Sequence, residues 1–276
     1  ILVCILNTIP IFVVGKPGSS KSLAIELIST NLNGQTSTCP FFQDFPAVEV
    51  FSYQCSPLST SGGIEQTFQQ ALQYQNSTTN THVVVLLDEV GLAEQSPHLP
   101  LKVLHKLLEK PNLAVVGISN WSLDLAKMNR AIHLTRPEPG VDDLKETAMG
   151  IVSSQHLESS LQALAQAYYN VYQGQRKKDF YGLRDFYHLI KYLHRNMEET
   201  LTPDLLHSAI CRNFGGHPAE LSFILKEFFS LVGMSYTPSI SKNALDVHSF
   251  PVIRNTQSNL FDKNARHLML LTRNNA

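Results

Sequence analysis

Gly15-Lys16-Pro17-Gly18-Ser19-Ser20-Lys21-Ser22 separates two stretches of different periodicity, and its reading decides the fold. Before it, Ile11-Phe12-Val13-Val14 is a short apolar run after Pro10, the pattern of a buried strand. After it, Ser22–Thr30 predicts a helix with Leu23, Leu27 and Ile28 on one face. A strand, a glycine turn and a helix in that order match the phosphate loop G-x-x-x-x-G-K-[ST] at all but one position, where Ser20 replaces the second glycine. The chemistry needs these residue types. Backbone N–H groups of a tight loop and a helix N-terminus make a concave anion site. A lysine then reaches the β- and γ-phosphates and a hydroxyl holds Mg²⁺, roles that fall to Lys21 and Ser22. The competing reading is a Gly/Ser-rich turn before an ordinary helix.

A second motif weighs against that plain turn. His82-Val83-Val84-Val85-Leu86-Leu87 runs into Asp88-Glu89. The unbroken apolar run predicts a central parallel strand covered on both faces. Phosphoryl transfer needs a carboxylate beside the metal, at the end of a strand adjacent to the loop, and a second one to polarise the attacking water. Asp88 suits the first role and Glu89 the second. The 67-residue interval from Lys21 to Asp88 leaves room for one more strand and helix, predicted at Ala47–Tyr53 and Gly62–Tyr74.

Further on, Pro100–Leu108 reads as a helix, and Ala114–Ile118 and Ala131–Thr135 as strands. Asn120 closes the first of these two strands, where an amide can sit between Glu89 and a γ-phosphate, or merely end the strand in a turn. Trp121, the one tryptophan, reads as packing. Arg130 precedes the last strand on the module surface, placed to enter a neighbour's site. Arg136 competes with it for that role, and either can be a plain surface residue.

After Arg136-Pro137-Glu138-Pro139-Gly140 strand-like runs stop. Helices follow at about 142–154, 159–172, 183–195, 203–213 and 218–231. Gly182-Leu183-Arg184 opens one of them, so Arg184 projects from a first turn and either reaches a γ-phosphate or stays solvated. The expected organisation is a large α/β subdomain over 1–138, a helical lid over 139–232, and a linker with the start of a next unit over 233–276.

Composition narrows the function classes. Hydrophobic residues make up 43% and charged residues 16%, with 22 basic against 23 acidic residues. No basic stripe points to nucleic acid. Cys4, Cys39, Cys55 and Cys211 lie far apart without a C-x-x-C pair, which argues against a zinc site and a disulfide framework and for a reducing compartment. Cys55 has no recognisable histidine partner for nucleophilic work. The apolar start, Ile1–Val14, reads as a buried helix end and strand, not as a signal peptide or a membrane span. Both ends look cut, so the expectation is a piece of something longer.

The loop GKPGSSKSLA, the segment SYQCSPLST, the run VVVLLDEVGLAEQSP, the stretch VGISNWSLDLAKMNRAI and the segment GLRDFYHLIKYL together resemble the mysterin family. These are giant AAA+ RING-type ubiquitin ligases with a dynein-like series of AAA units in one chain. The resemblance covers about residues 1–213 and, more weakly, the tail ARHLMLLTRNNA, and Ser20 belongs to the mysterin-type loop. It implies an α/β AAA+ P-loop NTPase: a parallel sheet flanked by helices, then a helical lid subdomain. It implies ATP and Mg²⁺ as cofactors, with Gly15, Lys16, Pro17, Gly18, Ser19, Ser20, Lys21 and Ser22 as the nucleotide loop. Ser22 and Asp88 would hold the metal, Glu89 would act on water, and Asn120 and Arg184 would be the first and second sensors.

The partners implied are neighbouring AAA+ units of one longer chain and, through regions outside this sequence, a ubiquitin-conjugating enzyme. Neither nucleic acid nor a transmembrane segment is expected. The place implied is the cytosol, in a family associated with lipid droplets and antimicrobial defence. A structural AAA+ unit that binds ATP without turnover is the alternative. A GTPase is disfavoured by the missing N-K-x-D motif.

Overall fold

The computed structural model describes residues 1–235 apart from 125–128, 153–156 and 178. They form two compact units, residues 1–138 and residues from Pro139 onward.

In the first unit, α1 (Leu2–Leu6) leads to β1 (Ile11–Val14), the loop, and α2 (Lys21–Asn31). Then come α3 (Pro40–Gln43), β2 (Ala47–Gln54), α4 (Ser61–Ser77), β3 (Thr81–Asp88), α5 (Val90–Ala93), α6 (Leu104–Leu107), β4 (Ala114–Ser119) and β5 (Ile132–Thr135). The strands form one sheet in the order β2-β3-β4-β1-β5, every pair parallel. Alternation along the strands explains how the sheet is covered. Ile11 and Val13, Val84, and Ala114, Val116 and Ile118 pack with α1 and with Ile25 and Leu32 on one face. Phe12, Val83, Val85 and Leu87, and Val115 pack with Ile64, Phe68 and Ala71 of α4 on the other. Gly117 sits in mid-strand because Phe12, its register partner on β1, lays its ring where a Cβ would stand.

Two local expectations need correction. In α2 the inward positions are Lys21, Ile25, half-buried Ile28 and Leu32 just beyond it, a helical 4-3-4 spacing. Leu23 and Leu27 are 48% and 53% exposed, so two of the three residues expected to share one face point outward while Ile28 does not. Lys21 takes an inward position to serve the loop, and that fixes the helix's rotation. Pro100–Leu108 is broken: a 3-10 turn, Pro100–Val103, precedes the single turn α6. β5 is an edge strand whose four residues are all exposed.

The second unit contains α7 (Val141–Ile151), α8 (Glu158–Gly174), α9 (Leu183–Asn196), α10 (Pro203–Phe214) and α11 (Pro218–Val232). α7 and α9 start alike, the amides of Gly140 and Gly182 donating to Asp143 at 2.9 Å and Asp185 at 2.7 Å. Tyr168, stacked on Phe186 at 4.9 Å, lies in the core beside Phe214 and Phe228. The linker and start of a next unit expected over 233–276 lie, beyond residue 235, outside the described residues.

Candidate nucleotide-binding site

β1 and β4 are neighbours, and their connections leave in opposite directions, β1 towards β2 and β4 towards β5. The crevice at their carboxyl ends is a topological switch point, where open α/β sheets bind ligands. The loop opens there, the Gly15 amide donating to the Ser119 carbonyl at 3.1 Å.

Local backbone geometry shapes the loop. Gly18 (φ 84°) and Ser20 (φ 61°) are both left-handed, on either side of Ser19. Such alternation turns successive amides towards a common concavity. Ser20 makes no side-chain cap on α2, so the helix's first turn presents its amides without an internal competitor. Lys21 is buried at 8% exposure, with Nζ donating to the carbonyls of Gly15 at 2.6 Å and Lys16 at 2.9 Å, and to Asn120 Oδ1 at 3.1 Å. An ammonium group is thus held at the mouth of an amide-lined loop, and this donor set fits a polyphosphate. Lys16 pairs with Glu138 at 2.5 Å.

Asp88 and Glu89 stand at the end of β3, but β3 is not adjacent to the loop strand as the sequence suggested. β4 lies between them. The correction adds a role, because the intervening strand ends on Asn120, whose amide meets Lys21. Asp88 Oδ1 accepts the Glu89 amide at 2.9 Å, and Glu89 turns through a left-handed conformation (φ 52°) into α5. Ser22 is exposed on the first turn of α2 and Asp88 is half-buried. Both are oxygen donors of the kind Mg²⁺ takes.

Sequence reasoning left out what joins these pieces. The Trp121 ring lies on Gly91, so that a Cβ there would stand 2.6 Å from Cε2, and Ser119 Oγ donates to the Trp121 carbonyl at 2.5 Å. The signals were a glycine two residues after Glu89 and a serine before Asn120. Cys55 is also nearby, its amide donating to the Asp88 carbonyl at 2.9 Å. Burial, with the Asp88 and Glu89 charges adding, pushes its thiol up to about 12, so it is neutral and a poor nucleophile.

The candidate arginines stand on different elements. Arg136 follows β5 with its amide on the Val14 carbonyl at 2.7 Å and its Cβ close to where a Gly15 side chain would be, beside its own loop. Arg130 is exposed just before β5, at the end of that strand away from the loop, its guanidinium on His105 Nδ1. Arg184 is exposed on the first turn of α9 in the second unit.

The profile of the RNF213 AAA domain matches residues 1–143. The chain belongs to the RNF213 AAA domain family. This is the giant ligase family that the motifs resemble, and the fold is that of an AAA+ P-loop module. The RNF213-family chain is 38% identical over 299 residues to E3 ubiquitin-protein ligase rnf213-beta of Danio rerio, a match covering 100% of this chain and 6% of that protein. It is 38% identical over 294 residues to E3 ubiquitin-protein ligase RNF213 of Mus musculus, covering 99% of this chain and 6% of that protein. The chain therefore spans a small fraction of the length of these relatives. Among solved structures, C. elegans PCH-2 superposes with a TM-score of 0.47 at 16% identity, covering 81% of this chain and 60% of that one. Among the described residues no helix is long and apolar enough to cross a membrane.

Proposed function

We propose that this RNF213-family unit binds ATP with Mg²⁺ and hydrolyses it. The observation that carries the reading is the Lys21–Asn120 contact of 3.1 Å at the switch point. It joins the phosphate-facing cation to the strand that separates the loop from the DE pair. Gly15 to Ser22 cradle the phosphates, and Lys21 neutralises the β- and γ-oxygens. Ser22 and Asp88 hold Mg²⁺, which when bound draws charge from the transferring phosphoryl group. Glu89 takes a proton from the attacking water and Asn120 orients that water. Residues 139–232 act as the lid, with Arg184 as its phosphate sensor. Arg130, at the end of β5 away from its own loop, serves a neighbouring site, and Arg136 is the competitor for that role.

The partners of this reading are other AAA+ units of a longer chain, and nucleotide state is coupled to their motion. The ligase activity, a ubiquitin-conjugating enzyme partner and a cytosolic, lipid-droplet-associated place belong to that longer protein by family likeness.

Calorimetry with ATP and Mg²⁺ on Lys21→Ala, and single-turnover hydrolysis on Glu89→Gln, test the reading. Lys21→Ala abolishes binding, and Glu89→Gln keeps binding but loses turnover by about 10²–10⁴-fold, the usual range for a general base. Unchanged affinity in the first variant, or unchanged turnover in the second, overturns the corresponding role.

A further inference from the structure

We infer that Trp121 is a positioning residue for the hydrolytic step, fixing the Glu89 segment against Asn120; this rests on the ATPase reading above. Asn120 and Glu89 come from different strands, β4 and β3, and each lies just past the end of its strand. Backbone pairing between β3 and β4 stops at Leu87↔Gly117. Beyond that pair the sheet no longer sets the separation of the two functional groups.

The segments after them are held together by side chains. The Trp121 indole lies against the Gly91 backbone, two residues after Glu89. Ser119 Oγ fixes the backbone of Trp121 from both sides, donating to its carbonyl at 2.5 Å and accepting from its amide at 3.3 Å. A hydroxyl so engaged holds the chain through Asn120 in one conformation. Glu94 Oε1, at the end of α5, accepts the Asp124 amide at 3.1 Å and closes the far end of the same joint. Leu123 anchors that loop in the core at 4% exposure.

Gly91 is the only residue type that admits this approach. A methyl there would fall 2.6 Å from Cε2, 2.9 Å from Cζ2 and 2.7 Å from Ser119 Oγ, so the ring would have to leave. Trp121 itself is 40% exposed, so only part of its ring is covered by the joint. Its contact with α5 gives little buried area but a defined distance. Tight positional control of that kind is worth most at a reacting centre, where a misplacement of 1 Å costs about 10²-fold in rate.

The test is single-turnover ATP hydrolysis by the chain, resolved into a maximal rate and a half-saturating ATP concentration. Trp121→Ala lowers the maximal rate about 10- to 100-fold and leaves half-saturation within about threefold, because Lys21 and the loop amides are untouched. Trp121→Phe recovers most of the rate, since a flat ring still covers Gly91. Gly91→Ala shows the same kind of loss, because its methyl would displace both the indole and the Ser119 hydroxyl that holds the Trp121 backbone. Equal maximal rates in Trp121→Ala and the parent overturn the inference and leave the ATPase reading standing. A parallel fall in rate and affinity in all variants also overturns it, as the mark of general loosening. A parent chain that neither binds nor hydrolyses ATP overturns the ATPase reading, and this inference falls with it.

Discussion

Replacing Ser20 by glycine, which restores the ordinary loop pattern, should stabilise the first unit without changing its affinity for nucleotide. Ser20 stands at φ 61° and ψ 23°, and an L-residue in that region costs roughly 1–2 kcal/mol. Its exposed side chain makes no cap hydrogen bond, so little contact energy is lost with it. Against the relief stands the greater backbone freedom of glycine in the unfolded chain, about 0.5–1 kcal/mol. The net gain is about 0.5–1 kcal/mol, or roughly 2–4 °C in the midpoint for a unit of this size. Urea and thermal unfolding of Ser20→Gly against the parent read this directly. Ser20→Val is the opposite control, because a β-branched residue fits the left-handed region worst. A glycine variant less stable than the parent would refute the strain argument. It would show that the hydroxyl contributes something the geometry does not reveal.

Two further expectations concern the helical unit. The buried His207 ring is held below the usual 6.5 by burial, with Asp204 pulling the other way. The unfolded chain therefore takes up this proton first on acidification. Stability is full above about 6.5 and falls as pH drops below it, levelling only beneath the folded value. Urea midpoints measured between about pH 7.5 and pH 5.5 should show this fall, and His207→Leu should flatten it; an unchanged slope in the variant refutes the assignment. Among the described residues the buried Tyr168 hydroxyl has no hydrogen-bond partner, and its pKa is pushed up chiefly by burial. Tyr168→Phe should accordingly be neutral or raise stability by about 1 kcal/mol in denaturant unfolding, and a loss of more than that would mean the hydroxyl is satisfied in solution.

The turn from Gly15 to Ser22 was legible because an apolar strand pattern stops before it and a helical pattern starts after it. The same holds for Asp88-Glu89, announced by an apolar run that only a covered central strand explains. Five helices after Gly140 could be read because Asp143 and Asp185 stand three residues inside their starts and apolar faces recur at 3.6-residue spacing. Lateral order could not be read. Nothing local in Ala114–Ser119 says that this strand inserts between β1 and β3, since the sheet's order is fixed by crossovers packing over its two faces. The rotation of α2 was misread for a related reason: Leu23 and Leu27 satisfy hydrophobic spacing, but the demand that Lys21 face inward outranks them. The joint of Gly91, Ser119 and Trp121 was invisible because a glycine's purpose depends on what approaches it.

The position of β4 has a consequence for how variation is tolerated. All six of its residues are buried, it is paired on both sides, and its Gly117 is locked by the Phe12 ring. A substitution in this strand cannot be absorbed by local yielding, because both faces and both edges are already spoken for. It must shift β1 or β3, and with them either the lysine or the carboxylates. Damage to folding and damage to the site are therefore one event along β4. The outward face of α2 is different: substitution at Leu23 or Leu27 changes a surface and leaves the lysine where it stands. Around one crevice, then, this unit sets a strand with little room for sequence drift beside a helix face with much.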